Sequence, residues 1–436
     1  MSTTAAPPET RRFLSPLRDF LHTEVAGGAV LVLATVVALV WANSPWSGAY
    51  ERLWSSTIAV TVAGHTVSHD LRQWVDDGLM TVFFLVVGLE IKRELTTGHL
   101  AGRRAAAAPV AAALGGMVVP ALVYLLIAGG EAARGWGVPM ATDIALALGV
   151  VALAGARAPT SYRSFLLGLA VVDDIGAIVV IAVFYSSGVS VGWLAVSIAA
   201  VLATLAARRL GVHRLVVYVP LGVLAWFGLS EAGVHPTLAG VTLGLLAPST
   251  PRLGVELIDI EELTDLSSVE QAAVSRDIAR GSVSVVEWLQ HHLHPWTSYA
   301  IVPLFALANA GVVLSVGAVG DAVRSSVFWG IFVGLVVGKP VGVIASVWGF
   351  GRTGGVDRPS GGGRSQFVGV GAAAGIGFTV ALFIAELAFT TEAHLGAAKL
   401  AILSASLLSA LVALPLLRLR TGGEATIRTR GRARRP

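Results

Sequence analysis

The stretch LGLAVVDDIGAIVVIAVF, Leu167–Phe184, decides what kind of molecule this is, because it is apolar throughout except for Asp173 and Asp174 near its centre. A run of this length matches the roughly 20 apolar residues that carry a helix across a hydrocarbon core of about 30 Å. Two adjacent carboxylates in such a run cost far more than packing requires, and an ionisable group at membrane depth points by default to an ion path. Neighbouring residues on a helix point about 100° apart, so the two acids cannot face the same partner and must differ in role.

Working outward, the 436 residues are 55% hydrophobic and 13% charged, with a mean hydropathy of +0.75. An average soluble domain is roughly one-quarter charged. Lipid offers no partner for a free backbone N–H or C=O, so the expected fold is an all-α polytopic membrane protein. Apolar runs between turn and charge signals predict twelve spans, near 24–43, 74–95, 105–128, 137–155, 160–186, 191–207, 215–231, 235–248, 288–314, 325–350, 366–389 and 395–418. With both termini cytoplasmic, only Arg52, Arg72, Arg134, Arg324 and Lys399 of the 31 lysines and arginines fall outside, and Lys339 alone lies deep within a span. That asymmetry is the positive-inside bias. Residues 1–23 form a cytoplasmic N-terminal segment and 24–419 the membrane domain. TIAVTVAGHTVSH predicts a small β-hairpin over 57–71, with its turn at Ala63-Gly64 and an edge open to interaction. An acidic cytoplasmic insert occupies 249–285, and a basic cytoplasmic tail, 420–436, rests on anionic lipid.

Several function classes are excluded. The chain has no cysteine, which removes disulfide frameworks, thiolate metal centres and cysteine nucleophiles. Its pI of about 9.7 comes from arginines scattered over short hydrophilic gaps, so nucleic acid is not an expected partner. No cofactor is called for, and the chain reads as a transporter, not an enzyme.

The chemistry concentrates in few residues. Asp143 lies in VPMATDIALALGV after Thr142, and Lys339 in GLVVGKPVGV; Asp76 and Asp77 open the second span and Glu90 lies toward its end. One member of the Asp173–Asp174 pair is expected to face Lys339 and the other a water-filled cavity. Carboxylates, the Thr142 hydroxyl and unwound carbonyls are hard oxygen ligands, which suit Na+ or Li+ better than copper or zinc. A carboxylate holds a proton or a cation, not both, and that competition suffices for exchange if the site faces one side at a time. Pro139 before Asp143, and the run GVGAAAGIGFT with Gly369, Gly371, Gly375 and Gly377, predict interruptions in the fourth and eleventh spans. Facing half-helices bring positive N-terminal and negative C-terminal ends into low dielectric. Asp143 and Lys339 are therefore candidates either for neutralising those ends or for binding the ion directly. A channel and an intramembrane aspartyl protease are the rival readings, the latter lacking its Gly-x-Gly-Asp motif.

Eight segments then carry a specific resemblance: DDGLMTVFFLVVGLEIKREL (Asp76–Leu95), PMATDIALALGV (Pro139–Val150), LAVVDDIGAI (Leu169–Ile178), GVHPTLAGV (Gly233–Val241), LHPW (Leu293–Trp296), PLFALANAG (Pro303–Gly311), GKPVG (Gly338–Gly342) and GIGFTVALFIAELAF (Gly375–Phe389). In this order they resemble the NhaA family of sodium/proton antiporters. The resemblance implies inverted repeats with crossed, broken fourth and eleventh helices, and electrogenic exchange of two protons inward for one Na+ or Li+ outward. It implies ion and proton binding by Asp173 and Asp174, flanked by Asp143 and Thr142, with Lys339 paired to Asp173 and Asp77 lining the cytoplasmic side. It further implies a pH sensor at Glu90, Arg93, Glu94, His291 and His294, pH tuning by His235, and a homodimer through the 57–71 hairpin. One departure stands out: Gln290 replaces the glutamate expected before His291, with Glu287 one turn earlier. Taken alone, His291, His292 and His294 also fit a metal site or a plain helix cap.

Overall fold

A computed structural model describes residues 8–62, 65–98, 100–155, 159–186, 188–212, 215–250, 283–352 and 362–419. The turn at Ala63-Gly64, most of the acidic insert and the basic tail lie outside these residues. The helices and strands are α1 (Pro8–Ala42), α2 (Ser47–Trp54), β1 (Thr57–Val62), β2 (His65–Asp70), α3 (Met80–Thr96), α4 (Arg103–Ile127), α5 (Ile144–Leu153), α6 (Thr160–Phe184), α7 (Val191–Arg209), α8 (Leu215–Glu231), α9 (Thr237–Leu246), α10 (Val285–Trp296), α11 (Val302–Asn309), α12 (Val316–Arg324), α13 (Ser326–Val333), α14 (Lys339–Arg352), α15 (Arg364–Ala374), α16 (Phe378–Ala388) and α17 (Glu392–Arg418). Among the described residues, seven helical stretches are long and apolar enough to cross a membrane, and the bent pair Gly130–Met140 and Ile144–Leu153 makes an eighth. The other expected spans fall on shorter helices.

The chain divides into two compact units. The first, residues 1–72, 102–181 and 303–436, holds the interrupted spans. The fourth expected span does not begin as an α-helix: Gly130–Met140 is a 3-10 segment, followed after three residues by α5 at a 50° bend. Pro139 supplies no N–H, and a Cβ on Gly135 would collide with the Tyr124 and Phe389 rings, so this stretch follows its neighbours' packing. In the eleventh expected span Gly369 and Gly371 stay helical within α15, and only Gly375–Gly377 interrupts. Gly375 is also closely packed. A Cβ on Gly375 would stand 2.5 Å from the Leu335 carbonyl oxygen and 2.9 Å from Ser409 Oγ. Gly375→Ala is accordingly expected to cost about 1–3 kcal/mol, the usual penalty of overpacking, read as a lower unfolding midpoint of the purified protein.

On the side where α1 ends, Asn43 clamps an extended segment after α11, donating to the Val312 carbonyl at 2.7 Å and accepting from the Leu314 N–H at 2.6 Å. The ninth expected span thus stops at Asn309, short of 314. Tyr50 on α2 is buried, and its hydroxyl lies 2.8 Å from the Leu307 and 3.0 Å from the Ala308 carbonyl, covering the last turn of α11. Burial raises the Tyr50 pKa from 10.0 to about 12. A group whose folded pKa is raised contributes fully below its unfolded pKa, here 10.0, and loses that contribution as pH climbs toward 12. Tyr50→Phe is expected to lower stability by about 1 kcal/mol at pH 8, with the variant and the parent converging in alkaline unfolding scans. β1 and β2 pair antiparallel from Thr57↔Asp70 to Val62↔His65, so the expected hairpin forms.

The second unit, residues 73–101 and 182–302, is built on α3 against α9 and on α7 against α8. Small residues let the first pair approach: a Cβ on Gly88 would stand 2.6 Å from the Val241 carbonyl oxygen, and one on Gly244 2.5 Å from that of Leu85. With lipid as solvent, such close packing replaces the hydrophobic effect as the force between helices.

Candidate ion-binding site

The interruptions leave backbone groups without helical partners, and the first unit's charged side chains meet them. Asp143 precedes α5, and its Oδ1 accepts the Leu146 N–H at 3.0 Å, an ordinary N-cap. Its Oδ2 reaches the other interrupted span, accepting from the Thr379 N–H at 3.1 Å and the Thr379 hydroxyl at 2.7 Å. The N-cap of α16 is Gly377, which has no side chain to offer, so Asp143 starts both half-helices. Its own N–H donates to the Ile376 carbonyl at 2.7 Å.

The opposite helix ends are met by Lys339 and Thr142. Lys339 is fully buried, and its ammonium donates to the Met140 carbonyl, the last of the 3-10 segment, and to Asp173 Oδ2. The Thr142 hydroxyl lies 2.6 Å from the same Asp173 oxygen and 3.0 Å from the Ala374 carbonyl that ends α15. Having one proton, it donates to one of them at a time. Asp173 Oδ2 is thereby crowded with donors, while Oδ1 of the same buried carboxylate has no hydrogen-bond partner among the described residues. Asp174, the next residue on α6, is also buried. The oxygens of Asp173 and Thr142, bonded to one another, are hard donors held in low dielectric.

The sequence profile described as "Na+/H+ antiporter 1" matches residues 18–417. The chain belongs to the Na+/H+ antiporter 1 family. Within it, a relative from Sorangium cellulosum (strain So ce56), named Na(+)/H(+) antiporter NhaA 2, is 47% identical over 440 residues, covering 95% of this chain and 93% of its own. The Na(+)/H(+) antiporter NhaA of Oleidesulfovibrio alaskensis is 44% identical, covering 92% of this chain and 93% of its own. The Na(+)/H(+) antiporter NhaA 2 of Myxococcus xanthus is 45% identical, covering 95% and 94%. Membership makes the chain a multi-pass membrane protein and a transporter, as its composition predicted.

The remaining residues singled out in this Na+/H+ antiporter 1 family chain all belong to the second unit. Asp77 Oδ1 lies 3.5 Å from His235 Nε2, and His235 Nδ1 lies 2.8 Å from the Thr237 hydroxyl. The Trp226 indole N–H donates to the Asp77 carbonyl at 2.9 Å. Glu90, Arg93 and Glu94 lie on α3, with Glu94 buried and 3.8 Å from Arg93. His291 and His294 lie on α10, which packs against α3. Glu287 is engaged in a capping box with Ser284 at the start of α10 and is a structural residue there. No group of three or more metal-binding side chains occurs among the described residues, so the three histidines do not assemble a metal centre there.

Sequence reasoning missed three participants. Thr379 gave no charge signal, and the Ala374 carbonyl is invisible in any sequence. The third is an ion pair. Lys399, counted among the outside cations, is instead buried, with its ammonium 2.6 Å from Glu386 Oε1. The signal was present: a glutamate inside FTVALFIAELAF is as anomalous at membrane depth as Asp173.

Proposed function

We propose that this protein exports Na+, or Li+, in exchange for H+ across a bacterial inner membrane. Asp173 and Asp174 are the carboxylates for which the cation and protons compete. The observation that carries this reading is the divided state of Asp173: Oδ2 takes the Lys339 ammonium and the Thr142 hydroxyl, and Oδ1 has no donor among the described residues. A carboxylate so held is poised to exchange an ammonium or a proton for a cation. When Na+ takes the carboxylate, the Lys339 ammonium must yield, so the charge balance of the site is reset with each cycle.

Asp143, Thr142 and Lys339 then keep the broken fourth and eleventh spans of a twelve-span, inverted-repeat membrane domain in register around the site. Both termini and the 249–285 insert are cytoplasmic, and the basic tail meets anionic lipid. Exchange of two protons inward for one cation outward makes transport electrogenic. In this topology Asp77 opens the second span on the outer side, beside His235, and not at the cytoplasmic approach. Glu90, Arg93, Glu94, His291 and His294 set its pH response, with His235 tuning it and Gln290 altering its set-point. The 57–71 hairpin provides a homodimer contact. The protease alternative lacks its facing acids, since both Asp143 oxygens are taken by hydrogen-bond donors. A midplane site at interrupted helices favours a carrier over a channel.

Everted vesicles carrying an imposed pH gradient provide the test. Adding Na+ or Li+ should release protons, seen as dequenching of a pH-sensitive dye; no release from the unaltered protein would sink the reading.

A further inference from the structure

The ion pair between Glu386 and Lys399 has no part in the exchange described so far. Glu386 lies in the last turn of α16 and Lys399 in the second turn of α17, and both side chains are largely withdrawn from solvent. The position is electrostatically awkward, since a carboxylate in the last turn of a helix opposes the negative end of its macrodipole. Stability alone does not call for the pair, because apolar replacements of buried ion pairs are often as stable or more so. What an ion pair adds is direction, one orientation of α16 against α17. The other end of α16 is fixed by the two bonds from Thr379 to Asp143. Thr379 and Glu386 are separated by about 10 Å along a helix rising 1.5 Å per residue. α16 is therefore a rod held at its start by Asp143 and at its end by Lys399. Asp143 follows Thr142, whose hydroxyl reaches Asp173.

We propose that Glu386 and Lys399 are positioning residues for the cation site, setting the tilt of α16 and, through Thr379, Asp143 and Thr142, the geometry of Asp173. The proposal rests on the antiport reading and names a determinant of that site's affinity. A rod displaced at one end shifts the other, and small misplacements at a charged site have large effects on function.

Two readouts test it on the full chain: the Na+ concentration giving half-maximal dequenching in everted vesicles, and the Na+ concentration giving half-maximal thermal stabilisation of the purified protein. Glu386→Gln and Lys399→Met are expected to raise both by about tenfold, with a smaller change in maximal rate. Glu386→Asp, Lys399→Arg and the exchange Glu386→Lys with Lys399→Glu are expected to restore much of the affinity. Should either single variant fail to fold, the double neutralisation Glu386→Gln with Lys399→Met, which strands no charge, takes its place with the same rise expected. Half-saturation within twofold of the parent in the neutralised variants that fold would overturn the proposal, leaving the pair a staple. Failure of the unaltered chain to exchange would instead overturn the antiport reading, and the stabilisation titration would still judge the pair.

Discussion

Asp173→Asn is expected to abolish Na+-driven proton release and to lower the unfolding midpoint of the purified protein. Neutralising Asp173 removes the anion beside a fully buried ammonium, leaving Lys339 with the Met140 carbonyl and the Thr142 hydroxyl reduced to neutral neighbours. Breaking a buried pair by removing one partner costs about 3–5 kcal/mol, most of it the cost of the stranded charge. Adding Lys339→Met should therefore recover much of the lost stability. Asp174→Asn leaves the Asp173–Lys339 pair in place, and is expected to abolish exchange with a smaller change in midpoint. Full exchange by either aspartate variant would show that the pair is not the site.

Asp143→Asn should behave differently from a conservative change. Every bond made by the Asp143 side chain described above is an accepted one: the Leu146 N–H on one oxygen, the Thr379 N–H and hydroxyl on the other. An asparagine has one oxygen, so its amide nitrogen must face a donor at one of the two helix starts. A lost N-cap costs about 0.5–2 kcal/mol, and each buried donor left unmet about 1–3 kcal/mol more. Loss of about 1.5–5 kcal/mol and at least a tenfold fall in exchange are expected, measured by thermal unfolding and dequenching. Asp143→Glu keeps the charge and both acceptors but lengthens the arm, and should keep part of each. A stable, fully active Asp143→Ala would remove Asp143 from any part in holding the half-helices together.

The fold was legible where a residue's local context is anomalous. Asp173 and Asp174 stand out because acids are costly in an apolar run, and Lys339 for the same reason. The expected breaks near Pro139 and Gly375 were legible because proline and glycine are poor helix formers. Gly369 and Gly371 show the limit: they carry the same local signal but remain helical, and backbone closeness does not set them apart, since a Cβ on Gly369 would stand 3.1 Å from the Leu417 backbone nitrogen and one on Gly377 3.0 Å from the Ala141 carbonyl oxygen. Lys399 was legible only in part, for a related reason. Near the predicted start of a span it reads as an outside cation, and only packing against α16 reveals Glu386 as its partner.

By itself the sequence determined the solvent of this protein, its helical character, the acids and lysine that must be accounted for at membrane depth, and the family to which they belong. These follow from transfer energies and local periodicity, which each residue carries wherever it sits. The tertiary structure alone decided the pairings. Asp143 meets Thr379 across 236 positions and Lys339 meets Asp173 across 166, and no local propensity encodes a contact at that range. What packing adds for Asp143 and Lys339 is the place of their hydrogen-bond partners. Asp143 is occupied by two helix starts, and Lys339 divides itself between a helix end and Asp173. Packing fixes that geometry, because the half-helices meet only once the spans around them have come together.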